Sequence, residues 1–105
     1  MTSTSARSSK DPDLTIEELY RAEWGRLLAR LVLRTRRIDL AEDALGEAFA
    51  RAVQRWPTDG VPSNPAGWLY TTAFRQVVGR LRAEAIAGRK ARLLAIRSDF
   101  VTPQD

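Results

Sequence analysis

The sequence predicts an all-α fold, a bundle of three or four helices. Apolar residues recur at the i, i+3, i+4, i+7 spacing of a helix face in three segments, turn-forming residues separate those segments, and no stretch alternates like a strand. At 105 residues, 44% of them hydrophobic, the chain is long enough for one small domain. We expect that domain to occupy residues 14–97, between a flexible leader at 1–13 and a frayed tail at 98–105.

The first helix is predicted for residues 15–36. A capping box formed by Thr15 and Glu18 opens it. The link that follows, Arg37 and Ile38, is too short to carry the next helix away from the first. The sequence therefore predicts that the first two helices form an antiparallel hairpin.

The second helix is predicted for residues 39–56. Asp39 is in the position of an N-cap, and Glu42, three residues later, completes a second capping box. Pro57 is predicted to end the helix, because proline lacks the backbone N–H that an interior turn requires.

Matching apolar stripes on these two helices predict the core. On the second helix we expect three large side chains to be buried: Leu45, Phe49 and Val53. They are expected to pack against a stripe on the first helix: Tyr20, Trp24, Leu27 and Leu31. Trp56 and Trp68 are also interpreted as core residues.

The third helix is predicted to begin at Pro65, with Asn64 as its N-cap. A helix that ran unbroken through the remaining apolar pattern would span about 50 Å at about 1.5 Å per residue, longer than so small a domain. We therefore expect either a bend at Gly79 or Gly88, or a tail that leaves the core from about Ala87 onward.

Composition excludes several classes of function. The chain has no cysteine and no histidine, which excludes disulfides, thiol catalysis, zinc fingers and Ser-His-Asp chemistry. It also has no phosphate-binding glycine loop, so neither an enzyme nor a cofactor is expected. Asp39, Asp43 and Glu47 on one helix offer too few convergent ligands for a metal. Without an apolar run of 18 residues or a signal peptide, a cytoplasmic protein with no membrane partner is expected.

Charge is unevenly distributed along the chain, whose net charge is +4. Residues 14–38 carry +3, residues 39–64 carry −3, and residues 65–97 carry +6. An acidic middle segment followed by a strongly basic one favours two different partner surfaces. A solvated arginine face with no partner explains the composition equally well.

Three motifs in sequence carry a family resemblance: AEDALGEAFARAVQRWP, DGVPSNPAGWLYTTA, and a basic run containing Arg80-Leu81-Arg82. Over residues 16–84 they resemble region 2 of bacterial sigma-70-type factors, in particular the extracytoplasmic-function (ECF) group. The resemblance implies a transcription initiation module. Its second helix would dock on the clamp helices of the RNA polymerase β′ subunit, and its third would engage the promoter −10 element as a melted single strand. An inhibitory partner protein is a further expectation.

On the second helix the resemblance implies these polymerase-binding residues: Asp43, Glu47, Arg51 and Arg55. Asp43 and Glu47 lie four apart, on one helix face, next to Arg51, and such mixed charge gives an interface specificity. The alternative is a solvated face on which Glu47 and Arg51 form a pair worth about 0.3–0.5 kcal/mol.

On the third helix the resemblance implies these DNA-binding residues: Tyr70, Phe74, Arg75, Arg80 and Arg82. Arginines would hold phosphates while the aromatic rings accept unstacked bases.

Three departures from the family pattern fall at contact positions. Gly46 stands where relatives usually carry Gln, Arg75 where they carry Asn, and Gly79 where they carry Asp or Asn. The 105 residues also leave no room for region 4, the helix-turn-helix that reads the −35 element. The chain is thus either one domain of a longer factor or a stand-alone relative with altered recognition. The alternative function is a protein-interaction module that binds polymerase or another protein without specific promoter reading.

Overall fold

The computed structural model describes the backbone of residues 12–101 and the side chains of residues 16–97. Three helices make up this range: α1 (Pro12–Thr35), α2 (Ile38–Asp59) and α3 (Pro65–Val101). Residues 12–101 contain no strand, and the predicted all-α fold is confirmed. Most of the predicted leader and residues 102–105 of the predicted tail lie outside the described residues.

The α1–α2 corner is built differently from the prediction. Arg36 adopts a left-handed conformation with φ 62°, and its N–H donates to the Val32 carbonyl at 2.7 Å, which ends α1. Arg37 is extended and occupies the N-cap position of α2 without a side-chain cap. The prediction of Asp39 as N-cap, with Glu42 completing a box, is therefore wrong. Asp39 lies inside the first turn, and its carboxylate accepts hydrogen bonds from the Arg37 guanidinium.

The start of α1 and the end of α2 also differ from the prediction, and both lie near a proline. Helix α1 begins at Pro12, ahead of the predicted Thr15, and proline is well tolerated in a first turn because its missing N–H would be unpaired there. The prediction that Pro57 ends α2 is wrong: the helix continues to Asp59. It stops at Gly60, which has φ 95° and donates its N–H to the Trp56 carbonyl at 2.9 Å.

The start of α3 is as predicted. Helix α3 begins at Pro65, and the Asn64 side-chain oxygen accepts a hydrogen bond from the Gly67 N–H at 3.0 Å. The Asn64 carbonyl also accepts the Trp68 N–H at 3.0 Å. This cap fixes where α3 leaves the loop and begins to pack against α2.

The core lies where the three helices meet. Most of its members are on α2, and several are alanines, which let the helices approach closely. The buried residues are Ile16, Leu27, Leu31, Leu40, Ala41, Ala44, Leu45, Ala48, Phe49, Ala52, Trp56, Leu69, Ala73 and Val77. Burial of Leu45, Phe49, Leu27 and Leu31 confirms most of the predicted stripe contacts.

Two predicted core residues are half-exposed. Val53 is 50% exposed, so the prediction that it is buried is wrong, and Tyr20, one of its predicted packing partners, is 48% exposed. Val53 lies at the edge of the α2 stripe, beyond the arc that α1 and α3 cover. Tyr20 still contacts the Trp24 and Phe49 rings, with centroids at 5.1 and 5.3 Å. Both residues border a shallow, mostly apolar groove of about 590 Å³ between α1 and α2.

Two tryptophans close the end of the bundle that carries the α2–α3 loop. The Trp56 and Trp68 rings meet edge to face, with centroids 5.4 Å apart. Trp56 is 3% exposed, in keeping with its interpretation as a core residue, while Trp68 is half-buried against the core. The Trp56 indole N–H is buried and has no hydrogen-bond partner among the described residues.

Helix α3 is unbroken through Gly79 and Gly88, so the tail leaves the core instead of bending back. Every residue from 82 to 97 except Gly88 is exposed. We refer to residues 82–97 as the arm. The described ion pair that ties the arm to the bundle is two-pronged, from Arg37 to Glu84 at 2.8 and 3.0 Å.

Candidate functional site

The candidate site is the exposed seam where α2 and α3 lie antiparallel. At one end of the seam, two carboxylates on α2 face α3. Arg80 reaches Glu47 at 3.0 Å and Asp43 at 3.5 Å, and the Gln76 side-chain amide donates to Glu47. Glu47 thus pairs with α3 across the seam. The Glu47–Arg51 pair, which the alternative of a solvated helix face predicts, does not form in the described part of the chain.

At the other end of the seam the charge is positive. A cleft of about 340 Å³ opens between α2 and α3. We call it the arginine cleft, and it is lined by Arg51, Arg55, Trp68, Thr72, Arg75 and Gln76. The structure therefore gathers around one cavity two residues predicted for polymerase binding and one predicted for DNA binding.

The predicted aromatic pair lies on the opposite side of α3, facing α1. The Tyr70 and Phe74 rings stack nearly in parallel, with centroids 6.1 Å apart and planes 7° apart. The Arg30 guanidinium lies 4.6 Å from the Tyr70 centroid, and that of Arg34 lies 4.3 Å from the Phe74 centroid. Cation–π contacts of this kind occupy ring faces that an unstacked base would need.

The predicted DNA-binding residues therefore do not form one patch. Tyr70 and Phe74 face α1, Arg80 is held by carboxylates of α2, and Arg75 borders the arginine cleft. Arg82 is exposed at the start of the arm.

A second charged cluster lies at the α1–α2 corner. Arg37 bonds both Asp39 and Glu84, and these hydrogen bonds, that to Glu84 first, raise the pKa of the Arg37 guanidinium further above its already high value. In return, the hydrogen bond from Arg37 lowers the pKa of Asp39 and that of Glu84 below the ordinary carboxyl range. Asp39 and Glu84 are exposed and Arg37 is only partly buried, so the cluster ties the arm to the bundle without a large contribution to stability.

Packing does not require glycine at position 46 or at position 79. A Cβ added at either position would meet nothing within 4 Å apart from the helix itself and adjacent residues. Both residues have helical backbone, so neither needs the conformational freedom of glycine. A larger side chain at either position is therefore compatible with the fold.

Several residues of the site were not found from the sequence. Arg30 and Arg34 were not predicted to cover the aromatic pair, and Gln76 was not predicted to bind Glu47. The spacing did hold a signal, because Gln76 and Arg80 are four apart on α3, matching the Asp43–Glu47 spacing on α2.

Among the described residues, no three candidate metal ligands cluster, and no helix has the length and hydropathy needed to span a bilayer. The described helices form a small all-α domain with a charged seam between α2 and α3. The chain belongs to the sigma-70 region 2 family, because the model of that family matches residues 19–86, more than half of its length. This family is a non-enzymatic module of transcription initiation factors, which in general binds RNA polymerase and recognises the −10 promoter element.

One relative adds a partial match. A protein of Rhizobium meliloti (strain 1021), described as uncharacterized, is 38% identical over 50 residues. The match covers 48% of this chain and 12% of that protein, so the chain corresponds to a small part of this relative. No solved structure matches the chain significantly.

Proposed function

We propose that this domain acts as region 2 of an ECF-type sigma factor in the cytoplasm. It docks on the β′ clamp helices of RNA polymerase through α2 and holds the melted −10 strand along α3. The seam supports this proposal, because one exposed surface carries a carboxylate pair at one end and, at the other, arginines that form no ion pair among residues 16–97. Mixed charge of this kind selects and orients partners more than it adds affinity.

The proposed polymerase contact centres on Asp43 and Glu47, whose side chains remain 70% and 46% exposed although both face Arg80. A basic group on polymerase would compete with Arg80 for these carboxylates. Docking on polymerase would then release the Arg80 guanidinium toward a DNA phosphate.

Co-purification with core polymerase tests the docking surface. Glu47→Arg is expected to abolish co-purification while far-UV circular dichroism stays unchanged. Glu18→Arg makes the same charge change at an exposed position on α1 and serves as the matched control. Equal recovery of wild type and Glu47→Arg would remove this surface from the proposal.

The open space at Gly46 permits a gain-of-function test. Relatives usually carry Gln at this position, and a side chain built there meets no obstacle within 4 Å. Gly46→Gln is therefore expected to strengthen co-purification with polymerase without loss of stability. A weaker recovery would indicate that this chain docks differently from its relatives.

We further propose that the domain binds the strand mainly through charge, with little base discrimination. At position 75 an arginine offers donors only and suits phosphate, whereas the usual Asn can hydrogen-bond a base edge. Affinities for a −10-like and a scrambled single strand are expected to differ by less than about 1–3 kcal/mol, the scale of one good base contact. Fluorescence anisotropy with the two strands measures the difference.

Variants of α3 test whether charge dominates strand binding. Arg82→Ala is expected to weaken binding to both strands equally, and by more than Arg80→Ala does, since Arg80 is already paired with carboxylates. Gly79→Asn, which has room for its side chain, is expected to increase sequence preference. Strong preference in the wild type would mean that Arg75 reads a base. Binding to polymerase without binding to either strand would favour a protein-interaction module.

A further inference from the structure

Three arginines line the arginine cleft, and no carboxylate among the described residues lines it with them. Arg51 and Arg55 come from successive turns of α2, and Arg75 comes from α3. Among residues 16–97, none of the three forms an ion pair with a carboxylate, whereas Arg80, five residues after Arg75 on α3, pairs with two. Positive charge is therefore paired with carboxylates at the Arg80 end of the seam and has no such partner among residues 16–97 at the arginine cleft.

Three arginines lining one cleft favour the binding of an oxyanion there. Like charges on successive helical turns repel each other, and a bound anion would relieve that repulsion. Guanidinium forks match the oxygens of a phosphate, and pairs of this type are frequently bidentate. Thr72 adds a hydroxyl donor to the cleft, while Gln76 uses its amide N–H on Glu47.

An aromatic side chain also lines the arginine cleft. Trp68 is half-buried, packs edge to face with Trp56 and lines the cleft. An indole beside a phosphate pocket suits a nucleotide, whose base or sugar can lie against the ring while its phosphate meets the arginines.

We propose that the arginine cleft is a phosphate-binding site that holds the backbone of the melted strand. This inference rests on the proposed function and deepens it. It transfers Arg51 and Arg55 from the polymerase surface, where the resemblance had put them, to the nucleic-acid surface. A free phosphorylated small molecule offers the same chemistry and is the other source of ligand.

Strand binding by the 105-residue chain is measured by anisotropy of a labelled eight-nucleotide oligothymidine at several salt concentrations. Arg51→Gln and Arg75→Gln are each expected to weaken binding by roughly tenfold and to lower the salt slope by about 0.7. Arg89→Gln and Arg92→Gln remove the same charge from the exposed arm and are the matched controls, with a smaller expected effect. Equal effects of cleft and arm variants would overturn the proposal.

Competition with inorganic pyrophosphate separates the two sources of phosphate. Displacement of the strand from the wild type, with pyrophosphate binding lost in Arg75→Gln, would support a phosphate site that the strand occupies. Pyrophosphate binding without any strand binding would retain the site, assign it to a small molecule and refute the proposed DNA engagement. Strand binding unaffected by cleft variants, without pyrophosphate binding, would refute the site and leave the proposed function standing.

Polymerase recovery distinguishes the two roles of α2. Arg51→Gln is expected to leave co-purification with core polymerase unchanged, whereas Glu47→Arg abolishes it. Loss of polymerase recovery in Arg51→Gln, with strand binding intact, would return Arg51 to the polymerase surface and overturn the assignment made here.

Discussion

The two halves of α3 differ in burial, although they belong to one continuous helix. Residues 65–81 place Leu69, Ala73 and Val77 in the core, each fully buried. The arm is equally rich in apolar side chains, yet Ile86, Leu93, Leu94 and Ile96 are all more than half exposed. Burial in this molecule thus depends on whether a neighbouring helix is within reach, and not on apolar content.

The largest expected contrast between the two halves comes from truncating leucine. Leu69 is 0% exposed and Leu93 is 61% exposed. Leu69→Ala is expected to lower the free energy of unfolding by about 2–5 kcal/mol, since it leaves a cavity in the core. Leu93→Ala is expected to stay within about 0.5 kcal/mol of wild type. Urea unfolding measures both, and a large loss for Leu93→Ala would show that the arm packs in solution.

A medium effect is expected at the start of the packed half. Asn64→Ala removes the side-chain oxygen that accepts the Gly67 N–H, at an expected cost of about 0.5–2 kcal/mol. Ser63→Ala, one residue earlier in the exposed loop, is the matched control and is expected to be neutral. If the two variants melt at the same temperature, the cap does not hold the packed half in place.

A smaller effect is expected from filling glycines. Gly25 lies in α1 within the bundle, and Gly88 lies in the arm; neither has an obstacle to a methyl group. Gly25→Ala is expected to add up to about 1 kcal/mol of stability, because alanine favours the helix and restricts the unfolded chain. Gly88→Ala is expected to raise helix content without changing the melting temperature of the bundle. A higher melting temperature for Gly88→Ala would mean that bundle and arm unfold together.

The smallest expected effect concerns the tether between the two halves. Because hydrogen bonds from Arg37 lower the pKa values of Glu84 and Asp39 in the folded state, their contribution is complete above the ordinary carboxyl pKa of about 4. It is lost as the pH falls through the lowered folded-state values. Glu84→Gln should therefore melt slightly below wild type at pH 7, and the difference should shrink on acidification.

Thermal melts across that pH range measure the difference. Glu42→Gln removes a carboxylate without an ion pair among residues 16–97 and provides the control. A difference between wild type and Glu84→Gln that persists at low pH would show that Glu84 acts through packing and not through its charge.

Local signals in the sequence predicted much of the fold. The helical spacing of Leu45 and Phe49 predicted their burial, and Asn64 followed by Pro65 predicted the start of α3. The same signals were ambiguous where two neighbouring positions suit one role. Asp39 can cap a helix or lie in its first turn. Because α1 ends at the left-handed Arg36, Arg37 takes the N-cap position and Asp39 lies in the first turn of α2.

The arrangement of the candidate site depended on tertiary contacts that local patterns do not specify. Glu47 had a possible partner one turn away, but its partners come from 29 and 33 residues farther along the chain. Likewise, the aromatic spacing of Tyr70 and Phe74 did not indicate that two arginines of α1 cover the rings. Only the packing angle of α3 on the hairpin determines which of these pairs meet.

The edge-to-face contact between Trp56 and Trp68 also gives the protein an intrinsic optical reporter. Two indole chromophores 5.4 Å apart couple their electronic transitions, so the pair contributes an exciton signal to circular dichroism that separated rings lack. The contact joins the last turns of α2 to the first turn of α3. The signal therefore reports closure of that loop independently of total helix content, and a ligand seated in the arginine cleft beside Trp68 should perturb it.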